Sequence, residues 1–393
     1  MKINAASSSL EESKDMVADV LAQLSVSEPP SLLFVFLNAN HDADDIRQSL
    51  YDAFSCPLII ATSSSGGFIC TSEICDPRAS LTVLAIVDPD GSYGVGTAAV
   101  LDNNDRQAAS TATQQALQNS ATPYESPSLI WCVPTPGTEE NMLEGVADVV
   151  GPNIPVFGGS CADNDVSGNW QTGNQHQVGS AFITIVVMTP SSPLGMTFSS
   201  GYQTTETALT VTEAAYRKLI TIDNQPAAQR YNTVTKDIIK NALNGGQILA
   251  QSSLHPLGLE IASPVGIAEF LLIHPASVTQ DSSLQLFANV TTGTTLHLME
   301  GSIKGLVNRA EKVIQNAVDL LPPSQTPAGV LLVYCAGCMM TIREQLPVMC
   351  SQVQARFPGL PVVGMYSFGE QGRFLDNQNR HGNLMISAIA FSS

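Results

Sequence analysis

Two cysteines two residues apart, Cys335-Ala-Gly-Cys338, close a continuous apolar run and precede an amphipathic segment, so they are expected where a buried strand opens into a helix. The positive end of a helix dipole favours a thiolate there, which suits a redox pair, a ligand contact or half of a metal site. A tetrahedral zinc site needs two more ligands, and no second CxxC or HxxxH accompanies this one. Thiols packed in a core are the plain alternative. His381, in Asn379-Arg-His-Gly-Asn383, lies in a polar loop that feeds the apolar run Leu384–Phe391. It could stand beside Cys335 or Cys338 as the base of a nucleophilic pair. Alternatively, His381 and Asn383 satisfy the backbone of a turn.

Gly158-Gly159-Ser160-Cys161-Ala162-Asp163 brings a hydroxyl, a thiol and a carboxylate into one short turn. The Gly-x-Ser-x-Gly elbow of α/β hydrolases is missing, so the turn is better read as a backbone-lined contact for a small polar ligand. Thr62 and Ser63 end one apolar run in the same manner, and Tyr366 ends another. Glu370, in Ser367-Phe-Gly-Glu-Gln-Gly372, is an acid in a glycine-flanked turn, able to receive a ligand amine or to sit in solvent. His176 and His274, and after them His255 and His297, could bind a haem iron axially. A lone histidine is more often structural, and no CxxCH is present, so any haem would be held without covalent attachment.

The elements that must position these groups form an echo. Leu32–Leu37, Leu129–Val133 and Val330–Tyr334 are apolar runs fit for buried strands. Each leads through an amphipathic segment (Asp45–Phe54, Glu139–Val150, Thr341–Phe357) to a run that opens with proline: Pro57-Leu-Ile-Ile-Ala-Thr-Ser, Pro155-Val-Phe-Gly-Gly-Ser and Pro361-Val-Val-Gly-Met-Tyr-Ser. Proline as a strand's first residue costs no ladder bond, and small residues at its end let backbone come close. Three βαβ crossovers with parallel pairing follow, and ligands of such sheets sit outside the carboxyl ends of the strands. Leu81–Val87 and Leu284–Val290 alternate as antiparallel or mixed strands. Ser8 and Ser9 stand three residues before Glu11 and Glu12, the capping-box spacing, and predict a helix over 9–25.

Length and charge bound the rest. A chain of 393 residues, 44% hydrophobic, supplies two cores. An excess of 35 acids over 17 bases, net −18, opposes nucleic acid and anionic lipid as partners. The first twelve residues lack a signal-peptide layout, and no apolar run approaches the roughly 20 residues of a membrane-spanning helix. A cytoplasmic protein with its eight cysteines reduced is expected.

In order and spacing, the segments from Leu32 through Ala61-Thr62-Ser63-Ser64 to Pro155-Val-Phe-Gly-Gly-Ser resemble the N-terminal FIST domain. Leu209-Thr-Val-Thr-Glu, Leu219-Ile-Thr-Ile-Asp-Asn-Gln-Pro-Ala and Gly364-Met-Tyr-Ser-Phe-Gly-Glu-Gln-Gly resemble the C-terminal one. The resemblance covers nearly the whole chain and implies two α/β lobes with mixed sheets, divided into 1–205 and 206–393. It also implies a signal-transduction sensor that binds a small, amino-acid-like ligand at the strand ends and acts on a separate signalling protein. Some members of the family are haem-based nitric-oxide sensors, which gives a second reading with a partner kinase or cyclase; a cysteine enzyme using Cys335 or Cys338 with His381 is a third. Cys335-Ala-Gly-Cys338 departs from a Gly-Arg-Gly-like turn common in the family, which removes a basic group that would meet a ligand anion.

Overall fold

The computed structural model describes residues 1–24, 28–262 and 266–393, and the chain folds, as expected, into a mixed α/β protein with βαβ crossovers in two lobes. Three successive repeats share one order of elements. The first comprises β1 (Lys2–Ser8), α1 (Ser13–Gln23), β2 (Leu32–Asn38), α2 (Ala43–Phe54), β3 (Leu58–Ser63), the hairpin β4 (Gly67–Cys70) and β5 (Cys75–Ala79), and β6 (Leu81–Val87). The second repeats it as β7 (Ser92–Ala99), α3 (Asp105–Gln118), β8 (Leu129–Pro134), α4 (Glu139–Val150), β9 (Val156–Gly159), the hairpin β10 (Thr172–Asn174) and β11 (Val178–Gly179), and β12 (Phe182–Thr189). The third begins with β13 (Leu194–Ser200) and is interrupted by a separate body, β14–β22 with α5 and α6, spanning 203–300. It resumes with α7 (Ile303–Asp319), β23 (Pro327–Cys335), α8 (Ala336–Thr341), α9 (Leu346–Arg356), β24 (Val362–Ser367), the hairpin β25 (Glu370–Arg373) and β26 (Asn379–Gly382), and β27 (Met385–Ser392).

Each repeat builds a six-stranded sheet around one parallel pair, β2/β3, β8/β9 or β23/β24. Its hairpin, however, pairs elsewhere. β4 joins β24 of the third repeat, β25 joins β9 of the second, and β10 joins β3 of the first. The exchange closes a ring in which every sheet's open edge is covered by a neighbour's hairpin, the usual protection an edge strand needs. Both faces of the parallel strands are buried, which explains their unbroken apolar runs. Phe34, Phe36, Trp131 and Leu332 enter the shared central core, while Leu33, Val35 and Leu37 pack under α1 and α2, and Ile130 and Cys132 under α3 and α4.

The inserted body is a nine-stranded sheet with its own core around Leu209, Tyr231, Leu257 and Leu296. The boundary read at 205/206 falls inside β14 (Gln203–Ala215), shortly after the chain leaves the ring.

Several local expectations are corrected. The first helix starts at Ser13, because residues 2–8 pair with β6 and draw Ser8 into a strand; its N-cap residue, Glu12, makes no side-chain cap bond. The single helix expected over 341–357 is broken by a 3₁₀ turn at Arg343–Gln345, after which Pro347, which lacks an N–H, sits in the first turn of α9 where none is needed. Leu284–Val290 keeps strand pairing only over Leu284–Leu286. Among the described residues no helix is long and apolar enough to cross a membrane.

Candidate functional site

The three strand ends that the crossovers predict at one place do meet. Ser64 N donates to Tyr366 O at 3.1 Å, Ser160 N to Gly369 O at 2.8 Å, and Ala162 N to Thr62 O at 2.9 Å, so each repeat's bend bonds the next. Ser63 Oγ accepts from Tyr366 N at 2.8 Å. This approach requires missing side chains: a Cβ on Gly159 would lie 2.7 Å from Ser367 Cβ, and one on Gly158 1.9 Å from Cys132 O. The bends form packed protein. Thr62, Ser63, Gly158, Gly159, Ser160, Cys161 and Tyr366 are all buried, and the Tyr366 hydroxyl is spent on Pro77 O at 2.7 Å.

Two buried carboxyl groups flank this hub. Glu139, the first residue of α4, is 2% exposed; its Oε1 accepts from Ser160 Oγ at 2.6 Å and its Oε2 from Gly137 N at 2.9 Å. Arg217 of the inserted body reaches across to it, Nη2 to Oε2 at 2.7 Å, and binds Glu140 with the same nitrogen. Burial pushes the Glu139 carboxyl up, but His381 and Arg217 beside it and the hydrogen bonds from Ser160 and Arg217 outweigh that, so its pKa ends below the ordinary value. Burial likewise opposes the Arg217 charge, and the two carboxylates outweigh it and raise its pKa. Glu370 has Ser367 Oγ at 2.7 Å and accepts from Met385 N at 3.0 Å. With no cation in reach among the described residues, burial, and after it the Cys335 thiol, hold Glu370 well above the carboxylate range, as a neutral acid.

The CxxC pair lies in the core. Cys335 and Cys338 are buried, Cys338 Sγ is 3.5 Å from Tyr202 Oη and 3.8 Å from Leu384 O, and burial pushes the Cys335 thiol far up. The ring nitrogens of His381 face elsewhere, Nδ1 to Gln371 Nε2 at 3.3 Å and Nε2 to Phe287 O at 3.2 Å. His274 is the histidine that packs on the CxxC turn: a Cβ on Gly337 would lie 3.6 Å from both Cys335 Sγ and His274 Cε1. Asn383 Oδ1 accepts from His274 N at 3.2 Å.

The haem candidates divide by burial. His176 is exposed, at 3.3 Å from Gln175 Nε2, and His274 is sealed, with Nε2 on Leu249 O at 3.2 Å and burial bringing its pKa to about 4. His297 pairs with Glu260 at 3.7 Å and His255 is half-buried. None of the four lines either cavity described next, whose polar walls are unlike the apolar slot a porphyrin needs, so the residues do not fit that group.

A cavity of about 610 Å³ opens at the carboxyl end of β2 beside Asn40, His41, Asp42, Asp163 and Trp170. Two of its acids are committed to the fold: Asp42 caps α2, and Asp163 accepts from the N–H groups of Val166, Gly168 and Asn169. A second cavity, about 310 Å³, lies at the seam between the ring and the inserted body. Glu140 and Asn141 line it from one side, and Tyr216, Arg217, Lys218 and Asn289 from the other. Because both carboxylates bind Nη2, the remaining donors of the Arg217 fork have no protein partner among the described residues. None of the residues singled out in the sequence lines this cavity. The groups that do were missed, and the sequence signal was slight: an acidic pair opening a helix, and one of only 17 basic residues.

The model of the FIST N domain matches residues 31–225, and that of the FIST C domain residues 227–373. Among solved structures, a cyanuric acid hydrolase from A. caulinodans aligns at 10% identity and a TM-score of 0.35, covering 100% of this chain and 99% of that one. No curated protein matches.

Proposed function

The chain belongs to the FIST family, whose domains are those of signal-transduction sensors, and from that premise we propose that it binds a small zwitterion of the amino-acid class in the seam cavity and reports the occupancy to a cytoplasmic signalling protein. The observation that supports this reading is charge of both signs across one cleft: Glu140 on the ring, Arg217 and Lys218 on the inserted body. A ligand carboxylate takes the free arms of the Arg217 fork, a bidentate geometry that guanidinium suits. The ligand's ammonium group lies toward Glu140, and Tyr216, 84% exposed, offers an aromatic face at the rim. A ligand held by both bodies favours the arrangement in which both reach it, and that unequal affinity is what shifts a population of states. Eight unpaired cysteines are consistent with a reducing compartment.

Titration calorimetry of the full chain against the common amino acids tests the proposal. At least one is expected to bind saturably, to lose binding when its amine is acetylated, and to bind at least tenfold more weakly to Tyr216→Ala and Asn141→Ala, which leave the Glu139–Arg217 pair intact. Absence of heat with every amino acid, or binding indifferent to both substitutions, would overturn it.

A further inference from the structure

Three cysteines, two from one hairpin and one from far along the chain, meet beside the third sheet. Cys70 and Cys75 are opposite partners on the exchanged hairpin β4–β5, and Cys350 comes from α9, which packs on β5. Cys70 Sγ and Cys75 Sγ are 3.2 Å apart, and Cys350 lies beside Cys75 across the contact of α9 with β5. The adjacent ladder bond, Thr71 N to Ile74 O at 2.7 Å, makes Cys70 and Cys75 a non-hydrogen-bonded antiparallel pair. In such pairs the Cα atoms lie about 4.5 Å apart, within the span of a disulfide. Cys70 and Cys350 are buried, whereas Cys75 is partly exposed. Hydrogen bonds from Cys350 and then Cys70 stabilise a thiolate on Cys75 and bring it to about 4, while the same bonds and burial push the other two thiols up.

We propose that Cys70 and Cys75 form a peroxide-reactive dithiol in which Cys75 is the attacking sulfur, Cys70 resolves the product to a disulfide, and Cys350 activates Cys75 from its place on α9. The Cys75 sulfur attacks one oxygen of a hydroperoxide and the O–O bond breaks. The other oxygen leaves as water, or as an alcohol from an organic hydroperoxide, once it has taken a proton, and Cys75 becomes a sulfenic acid. The Cys70 sulfur then attacks the Cys75 sulfur, the S–O bond breaks, and the departing hydroxide takes the Cys70 proton and leaves as water. Overall, two thiols give up two electrons and two protons to one peroxide.

The test is peptide mapping of the full chain after brief exposure to hydrogen peroxide at neutral pH, with free thiols alkylated before digestion. The expected product is a Cys70–Cys75 disulfide formed while Cys335 and Cys338 remain alkylatable. Cys70→Ser should trap the sulfenic acid on Cys75 as a dimedone adduct, Cys75→Ser should abolish both products, and Cys350→Ser should slow the reaction roughly tenfold. Free Cys75 after exposure, or oxidation of Cys335 and Cys338 as fast as of Cys75, would overturn the proposal. The wild-type map decides this whether or not a variant folds.

Discussion

Glu139 and Glu370 are both fully packed acids, each bonded to a serine at the end of a parallel strand, Ser160 in one case and Ser367 in the other. They differ in what the inserted body delivers. Arg217 reaches Glu139 and keeps it charged; nothing cationic among the described residues reaches Glu370, which keeps its proton. A buried carboxyl is thus made an anchor or a neutral hydrogen-bonding group by one distant side chain, because desolvation penalises the charged form unless a counter-charge offsets it. The charged member ties the ring to the inserted body, and the neutral one lies within the ring.

Four measurements can break or sharpen that contrast. Arg217→Met strands two carboxylates at the seam and is expected to cost about 3–5 kcal/mol at neutral pH, read from urea unfolding. An unchanged midpoint would show that Glu139 does not depend on the arginine. His274 sets the background above the carboxylates. Its folded pKa of about 4 lies below the ordinary 6.5, so the unfolded chain takes up a proton first and stability falls as pH drops from 6.5 toward 4, by about 3 kcal/mol. His274→Gln should flatten that part of the profile. Glu139→Gln should cost about 2 kcal/mol at pH 7, the worth of a charge-assisted hydrogen bond. Its folded pKa is depressed, so the deficit is present above the ordinary carboxylate pKa and disappears as pH falls through the folded value. Glu370→Gln should change stability by less than about 1 kcal/mol near the ordinary carboxylate pKa, since an amide can replace a neutral acid between Ser367 and Met385. With a raised folded pKa, the wild type loses stability as pH rises, so this variant gains on it upward while the Glu139 variant gains downward. Parallel profiles for the two glutamine variants would erase the distinction.

What the sequence conveyed follows from range of interaction. The α4 segment Glu139–Val150 and strand β6 (Leu81–Val87) are where their periodicity put them, and the three crossovers are parallel, because apolar spacing within one segment decides such elements. The small residues at Gly158, Gly159 and Ser160 announced close backbone approach, and the hub is built on it. Exchange of the hairpins was illegible, since β4 and β10 are short strands whose partners lie in other repeats. So was the Arg217–Glu139 pair, which joins residues from the two lobes. At Cys335 and Cys338 the spacing was evident and core packing was among the readings it allowed, while Cys350 reaches the hairpin pair Cys70 and Cys75 only through the packing of α9 on β5.

Closure by exchanged hairpins also bears on how the chain emerges from the ribosome. The edge of β9, which ends at Gly159, is complete only when β25, beginning at Glu370, has been made. At ~5–20 residues per second the second repeat's exposed edge waits on the order of tens of seconds for its partner. Nascent chains of this protein should therefore present an unpaired, apolar strand throughout that interval, a state that holdase chaperones recognise and that favours aggregation wherever translation stalls between β9 and β25.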